Sequence, residues 1–213
     1  MSDFEITIPE ISTSGSLATM QLPSIEDYNY WNFYNNHILT IEGEISDWDY
    51  NVVKNIININ LKEMNTPSEW VKPIIILINS NGGLLDITNS IIDAIKASTV
   101  PVWTVNMGMA LSGGALIFLA GEKRFTVKNS WCMTHPGSGG TSGSYNETVE
   151  QSKVWKEQVD NMGKFIVERT GIDDKTWKKY KNKDWYLNSE QQIEFGFATD
   201  KLESLDQILR VER

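Results

Sequence analysis

An α/β fold built around a parallel sheet is what the sequence predicts, and three consecutive stretches carry the prediction. Pro73 to Ile78 reads PIIILI, the near-continuous β-branched run expected of a strand buried on both faces. Asn79-Ser80-Asn81-Gly82-Gly83 ends it as a turn, after which Leu84, Ile87, Ile91 and Ile95 fall on one helix face. Pro101 to Met107 returns to strand character. Strand, helix and strand together imply a right-handed parallel βαβ unit.

The remaining elements follow in order. The chain of 213 residues suits one domain with a sizeable core. Residues 1–24 are polar and aperiodic, with Pro9 and a Ser/Thr/Gly cluster from Ser12, and are expected to be a mobile arm ahead of a main domain over 25–213. His37 to Ile45 reads as a strand, and Trp48, Val52, Val53, Ile56 and Ile57 repeat at helical spacing. Gly108 to Gly121 is expected to form a turn and short helix, with short strands at Arg124 to Val127 and Ser130 to Thr134. Pro136 to Tyr145 turns to Gly and Ser, too small to build core, before a long helix from about Asn146 to Arg169. Trp155, Val159, Met162 and Ile166 stripe its second half, whereas Val149 is the one apolar residue of the first half through Ser152. Such a helix is expected to project from its domain. Gly171 suits its C-terminal cap, and shorter helices are expected near Lys175, Ser189 to Phe195 and Ser204 to Leu209.

Composition removes several function classes. With 28 acidic against 19 basic residues the formal charge is -9, which repels phosphate backbones and anionic lipid, so neither nucleic acid nor membrane is an expected partner. The five lysines between Lys175 and Lys183 alternate with Trp177 and Tyr180 and read as a solvated helix face. Cys132 is the one cysteine, so neither an internal disulfide nor a Cys-rich metal site is possible, and a reducing compartment, the cytoplasm, fits. The first 25 residues lack a basic start and an apolar core, and no stretch reaches 18 apolar residues, so neither a standard secretion signal nor a membrane span is expected.

Ser112 lies in Gly108-Met109-Ala110-Leu111-Ser112-Gly113-Gly114-Ala115, after a buried strand and at the start of a helix. There a serine is held at the sheet edge beside the free N–H groups of a helix start, and small neighbours let a peptide backbone approach. Gly and Ser are also common in ordinary turns, so partners must decide its meaning. A histidine base must be His37 or His135. His37, after Asn35 and Asn36, is expected to be an exposed or capping residue; His135 emerges at a strand end before Pro136-Gly137, where a cleft residue and a surface turn residue are both open readings. Serine needs such a base, and the base works best against an orienting carboxylate. Asp184, before Trp185 and Tyr186, has neighbours that suit partial burial, but local sequence does not single it out among the acids. A Cys132–His135 thiol pair is disfavoured, because three-residue spacing on a strand sends the two side chains to opposite faces.

Taken together, these segments resemble the proteolytic subunit of Clp protease from roughly Asn36 to Leu209. Ile78-Asn79-Ser80-Asn81-Gly82-Gly83 is similar to the family's I-N-S-P-G-G turn, Met107 to Ala115 to its nucleophile segment and Met133-Thr134-His135-Pro136 to its histidine segment. Asp184-Trp185-Tyr186-Leu187-Asn188 resembles the aspartate segment, and Glu194 to Asp200 the closing E-Y-G-L-V-D stretch. The resemblance implies a crotonase-like spiral of ββα units with a handle over about 136–166. It also implies a serine endopeptidase without cofactor, with Ser112 as nucleophile, His135 as base and acid, and Asp184 as orienting carboxylate. Gly83 and Gly113 match the backbone donors of the oxyanion hole. Homo-oligomeric rings, heptameric and able to stack in pairs, and an AAA+ unfoldase that feeds unfolded polypeptide are implied as partners.

Some positions depart from the pattern. Asn81 replaces the turn proline and Gly113 a bulky residue, which implies a looser oxyanion loop; Asn182 and Lys183 stand where the family often carries an acidic-Arg pair between rings. Because the same fold also serves acyl-coenzyme A chemistry and non-catalytic scaffolds, an idle ring with a structural or regulatory role is the alternative. A Ser–Lys processing peptidase of related fold is disfavoured by the complete Ser, His and Asp set.

Overall fold

The computed structural model describes residues 24–210, so the arm expected over 1–24 lies, Ser24 apart, outside the described residues. Ser24 caps α1 (Ile25–Asn35): its Oγ accepts from the Asp27 N–H, and the Asp27 carboxylate accepts the Ser24 N–H in return. This helix buries none of its residues and has no apolar stripe, which is why periodicity gives no sign of it. Then come β1 (Ile38–Ile45), α2 (Tyr50–Glu63), β2 (Ile74–Gly83), α3 (Leu85–Ala97), β3 (Val102–Leu111), α4 (Gly113–Ala120), β4 (Lys123–Thr126) and β5 (Trp131–Thr134). The chain ends with α5 (Tyr145–Thr170), α6 (Asp174–Tyr180), β6 (Trp185–Asn188), α7 (Ser189–Glu194), β7 (Asp200–Lys201) and α8 (Asp206–Leu209).

β1, β2, β3, β4 and β7 form one parallel sheet in that order. β3 serves two neighbours along one edge, pairing with β4 as far as Asn106 and with β5 from Met109 onward. β6 closes this end as the antiparallel partner of β5. The core lies between the sheet and α2, α3 and α4, with Ile41, Ile45, Ile56, Ile76, Ile78, Ile91, Phe118 and Leu119 almost wholly buried. Every residue of α4 (GGALIFLA) is buried, as befits a helix apolar on all sides.

The two central strands run longer than expected. β2 continues through Gly83 and β3 through Leu111, because Ser80 stays in the ladder opposite Gly43 and Ala110 while its hydroxyl donates to the Gly43 carbonyl at 2.6 Å. Trp48 and Ile57 depart from the predicted helix face: Trp48 sits in a 3-10 turn and both are exposed, while Val52, Val53, Ile56 and Ile59 fill the buried face. His37 is buried rather than exposed. It closes the turn after α1 at φ 58°, with Nδ1 3.2 Å from the Lys72 carbonyl and Nε2 3.4 Å from Glu63. α5 matches expectation, with Gly163 and Ile166 buried, a solvated first half, and Gly171 as a left-handed cap. The lysines from Lys175 to Lys183 are exposed beside the half-buried Trp177 and Tyr180. No helix among the described residues is long and apolar enough to cross a membrane.

Candidate active site

β3 delivers Ser112 to the sheet edge and α4 begins on the next residue. The chain reverses there through a conformation costly for a non-glycine residue, φ 54° and ψ -120°. Three bonds hold that turn: the Ser112 N–H donates to the Met133 carbonyl at 2.8 Å, and the Ser112 carbonyl accepts from Ala115 and Leu116. Met133 belongs to β5, which ends at Thr134, and His135 follows directly. Its Nε2 lies 2.7 Å from the Ser112 Oγ, a short and direct hydrogen bond.

The glycines beside this pair are required by close approach. At Gly82, φ 91°, a Cβ would meet the Ser112 Cβ at 2.6 Å and the Gly113 nitrogen at 2.9 Å, so the end of β2 passes Ser112 only as glycine. At Gly83 a Cβ would run into the Ile45 backbone. The Thr88 hydroxyl occupies the space beside Gly113, 2.5 Å from where a Cβ would stand. Packing against Thr88 and Ile45 thus confines the loop in which a missing side chain suggested looseness. Both Gly83 and Gly113 line one cleft with Ser112 and His135.

Asp184 stands apart from the pair. The β5–β6 ladder ends at Thr134 opposite Trp185, so His135 and Asp184 are the next residues on its two sides and share the outward face with Met133 and Tyr186. No hydrogen bond among the described residues joins them, and Asp184 is exposed, contrary to the partial burial expected. The reason is strand alternation: of the adjoining aromatics Trp185 turns inward, stacked on Tyr180 at 4.2 Å, while Tyr186 turns outward with Asp184.

Cys132 points to the opposite side of β5, fully buried, and burial pushes its thiol up, away from the reactive thiolate. The cleft measures roughly 550 Å3 and is walled by Leu84, Leu116, Met133, Met162 and Trp155. Trp155 and Met162 read in the sequence as part of an apolar stripe; here they reach the cleft. The Trp155 indole lies against Gly137 and Gly139, within 3.3 Å of where a Cβ at either would stand, and so braces the loop that follows His135. A second groove, of about 560 Å3 between α1, β2 and α8, has neither Ser112 nor His135 in its lining.

The sequence profile described as Clp protease matches residues 25–204. The chain belongs to the Clp protease family. It is 34% identical over 130 residues to ATP-dependent Clp protease proteolytic subunit 2 of Treponema denticola, covering 60% of this chain and 65% of that protein, just under two thirds of its length. Subunit 1 of Rhodopirellula baltica is 31% identical over 170 residues, 78% of this chain and 72% of that protein. The proteolytic subunit of Paracoccus denitrificans is 27% identical over 139 residues, covering 64% and 70%. Parallel sheet, flanking helices and the long α5 agree with the Clp-type, crotonase-like α/β fold that the motifs implied.

Proposed function

We propose that the protein is a serine endopeptidase in which Ser112 attacks the peptide carbonyl while His135 takes its proton. One observation carries this reading: the 2.7 Å contact between the His135 Nε2 and the Ser112 Oγ inside a cleft of a Clp protease family member. As the Oγ–carbon bond forms, the carbonyl oxygen becomes negative, and the Gly83 and Gly113 N–H groups are the donors proposed to face it. His135 then returns the proton to the leaving amine, and water, activated by the same imidazole, releases the acyl-enzyme. Asp184 is the proposed orienting carboxylate. Directly opposed residues on an antiparallel pair hold their Cβ atoms about 4.5–5.5 Å apart, within reach of the His135 Nδ1 after a side-chain rotation.

Residues 136–166 are the proposed handle, and the assembly a heptameric ring that stacks in pairs, fed unfolded polypeptide by an AAA+ ATPase in the cytoplasm. Large apolar side chains exposed on one copy, among them Tyr28, Trp31, Trp48, Trp131 and Tyr186, support burial against neighbours. The relatives' names, ATP-dependent and subunit, support an ATP-using partner and an assembly of several chains. The absence of a bond between Asp184 and His135 favours a second reading, a catalytically idle ring. Hydrolysis of acylated peptides separates them. We expect Ser112→Ala and His135→Ala each to lose on the order of a thousandfold or more in turnover, with Asp184→Ala somewhat milder. Equal activity in wild type and Ser112→Ala would refute the peptidase.

A further inference from the structure

Two side-chain amides, Asn106 and Gln192, are wholly buried, beside the buried hydroxyls of Thr126 and Ser130. They occupy the place where β3 changes neighbours: Asn106 is its last residue paired with β4, opposite Thr126, and Met109 its first paired with β5, opposite Trp131. The amides bridge this change of neighbours: Asn106 Oδ1 accepts the Gly108 N–H of the crossing segment at 3.3 Å, and the side-chain N–H groups reach carbonyls around the start of β5 and in β6. Asn106 Nδ2 donates to the Trp131 carbonyl at 3.0 Å and to Gln192 Oε1 at 3.1 Å. Gln192 Nε2 donates to the Leu187 carbonyl at 3.2 Å and the Ser130 carbonyl at 3.4 Å, while Thr126 Oγ1 donates to Gln192 Oε1 at 2.9 Å. Through these bonds one α7 side chain grips β6 and the residue that leads into β5 and, by way of Asn106, ties this antiparallel pair to β3.

The β5–β6 pair carries His135 just past one strand and Asp184 just before the other, while the amides hold its far end at Trp131 and Leu187. We propose that Gln192, together with Asn106, is a positioning residue for His135, setting the tilt of β5 and hence the approach of the imidazole to Ser112. Apolar side chains would fill the same volume but restrain no angle; amide bonds are directional, and buried amides are tolerated when bonded as fully as these. From Trp131 to His135 is roughly 13 Å of extended chain, so a tilt of about 5° displaces the imidazole by about 1 Å. A misplacement of that size costs roughly a hundredfold in rate.

The inference rests on the peptidase reading, and two independent readouts keep them apart. Gln192→Met keeps the side chain's bulk and removes its bonds. Thr104→Val is the control, removing a buried 2.7 Å bond from β3 to the Phe118 carbonyl that does not touch the β5–β6 pair. At a temperature where both variants are folded, amide hydrogen exchange is followed over 130–136 and 184–188, and fluorophosphonate modification of Ser112 is followed against pH. For Gln192→Met we expect faster exchange in both segments, modification slower by roughly ten- to hundredfold with a flattened pH dependence, and a loss in kcat with KM within about twofold of wild type. Thr104→Val should match wild type in all of these. Wild-type modification rate and pH profile in Gln192→Met would overturn the proposal. If wild type itself resists the probe, the peptidase reading fails and exchange alone decides: faster exchange in the β5–β6 pair of Gln192→Met sustains the anchoring, and unchanged exchange ends it. Should Gln192→Met not fold, Asn106→Leu carries the same test through the Trp131 carbonyl.

Discussion

His37 follows two asparagines, a context that reads as an exposed cap, yet the turn from α1 into β1 places it at φ 58° with its ring enclosed by Glu63 and the Lys72 carbonyl. Burial is the main influence on its pKa and lowers it; the Lys72 carbonyl bond and the Glu63 charge oppose the shift, while Lys62 and Lys72 add to it. The sign of the stability effect follows. Between the lowered folded pKa and the ordinary value near 6.5, the unfolded chain binds the proton and the folded chain does not, so stability falls as pH drops through that window. Urea midpoints measured from about pH 7 to 5 should therefore decline more in wild type than in His37→Asn, whose side chain tolerates the left-handed backbone. Equal slopes would mean that His37 takes up its proton without penalty. The closeness of Ser112 and His135 was legible only through the family resemblance, because a serine at a strand-to-helix turn and a histidine at a strand end each left an ordinary turn residue open. The exposure of Asp184 was not legible, because it depends on which neighbour β6 turns inward.

Among the elements, periodicity placed β1, β2, α3, β3 and α5 correctly, since each has a face or run that must leave water. It failed where something else holds the chain. The polar ends of β2 stay in the ladder through the Ser80 hydroxyl, and α1 forms on its cap without a buried face. α5 shows a third limit, because a helical stripe does not say whether its aromatic faces core or cleft, and Trp155 turned to the loop over Gly137 and Gly139. Trp155→Ala removes that brace. We expect KM for short peptides to rise several-fold with a smaller change in kcat, as for a loss of uniform binding. A pure kcat loss in steady-state kinetics would place Trp155 in the reaction itself rather than in binding.

On the scale of the whole molecule, one copy leaves many large apolar side chains in water, including Trp48 at 81% and Tyr145 at 83% exposure, and a long helix whose first half buries none of its side chains among the described residues. Ordering such a helix costs conformational entropy, and an isologous contact with a second copy offsets it. For the proposed ring, whose sevenfold order the family resemblance implies, native mass spectrometry should report assemblies of about seven or fourteen copies, and a stable, fully active monomer would dismiss it. The kinetic expectations depend on a reactive Ser112 driven by His135. The most direct measurement is peptide-mapped mass spectrometry after exposure to a fluorophosphonate, on wild type and His135→Ala side by side. The proposed chemistry requires a single adduct on Ser112 in wild type, formed far more slowly in His135→Ala. An unmodified Ser112, or an adduct that forms as fast without His135, would contradict it.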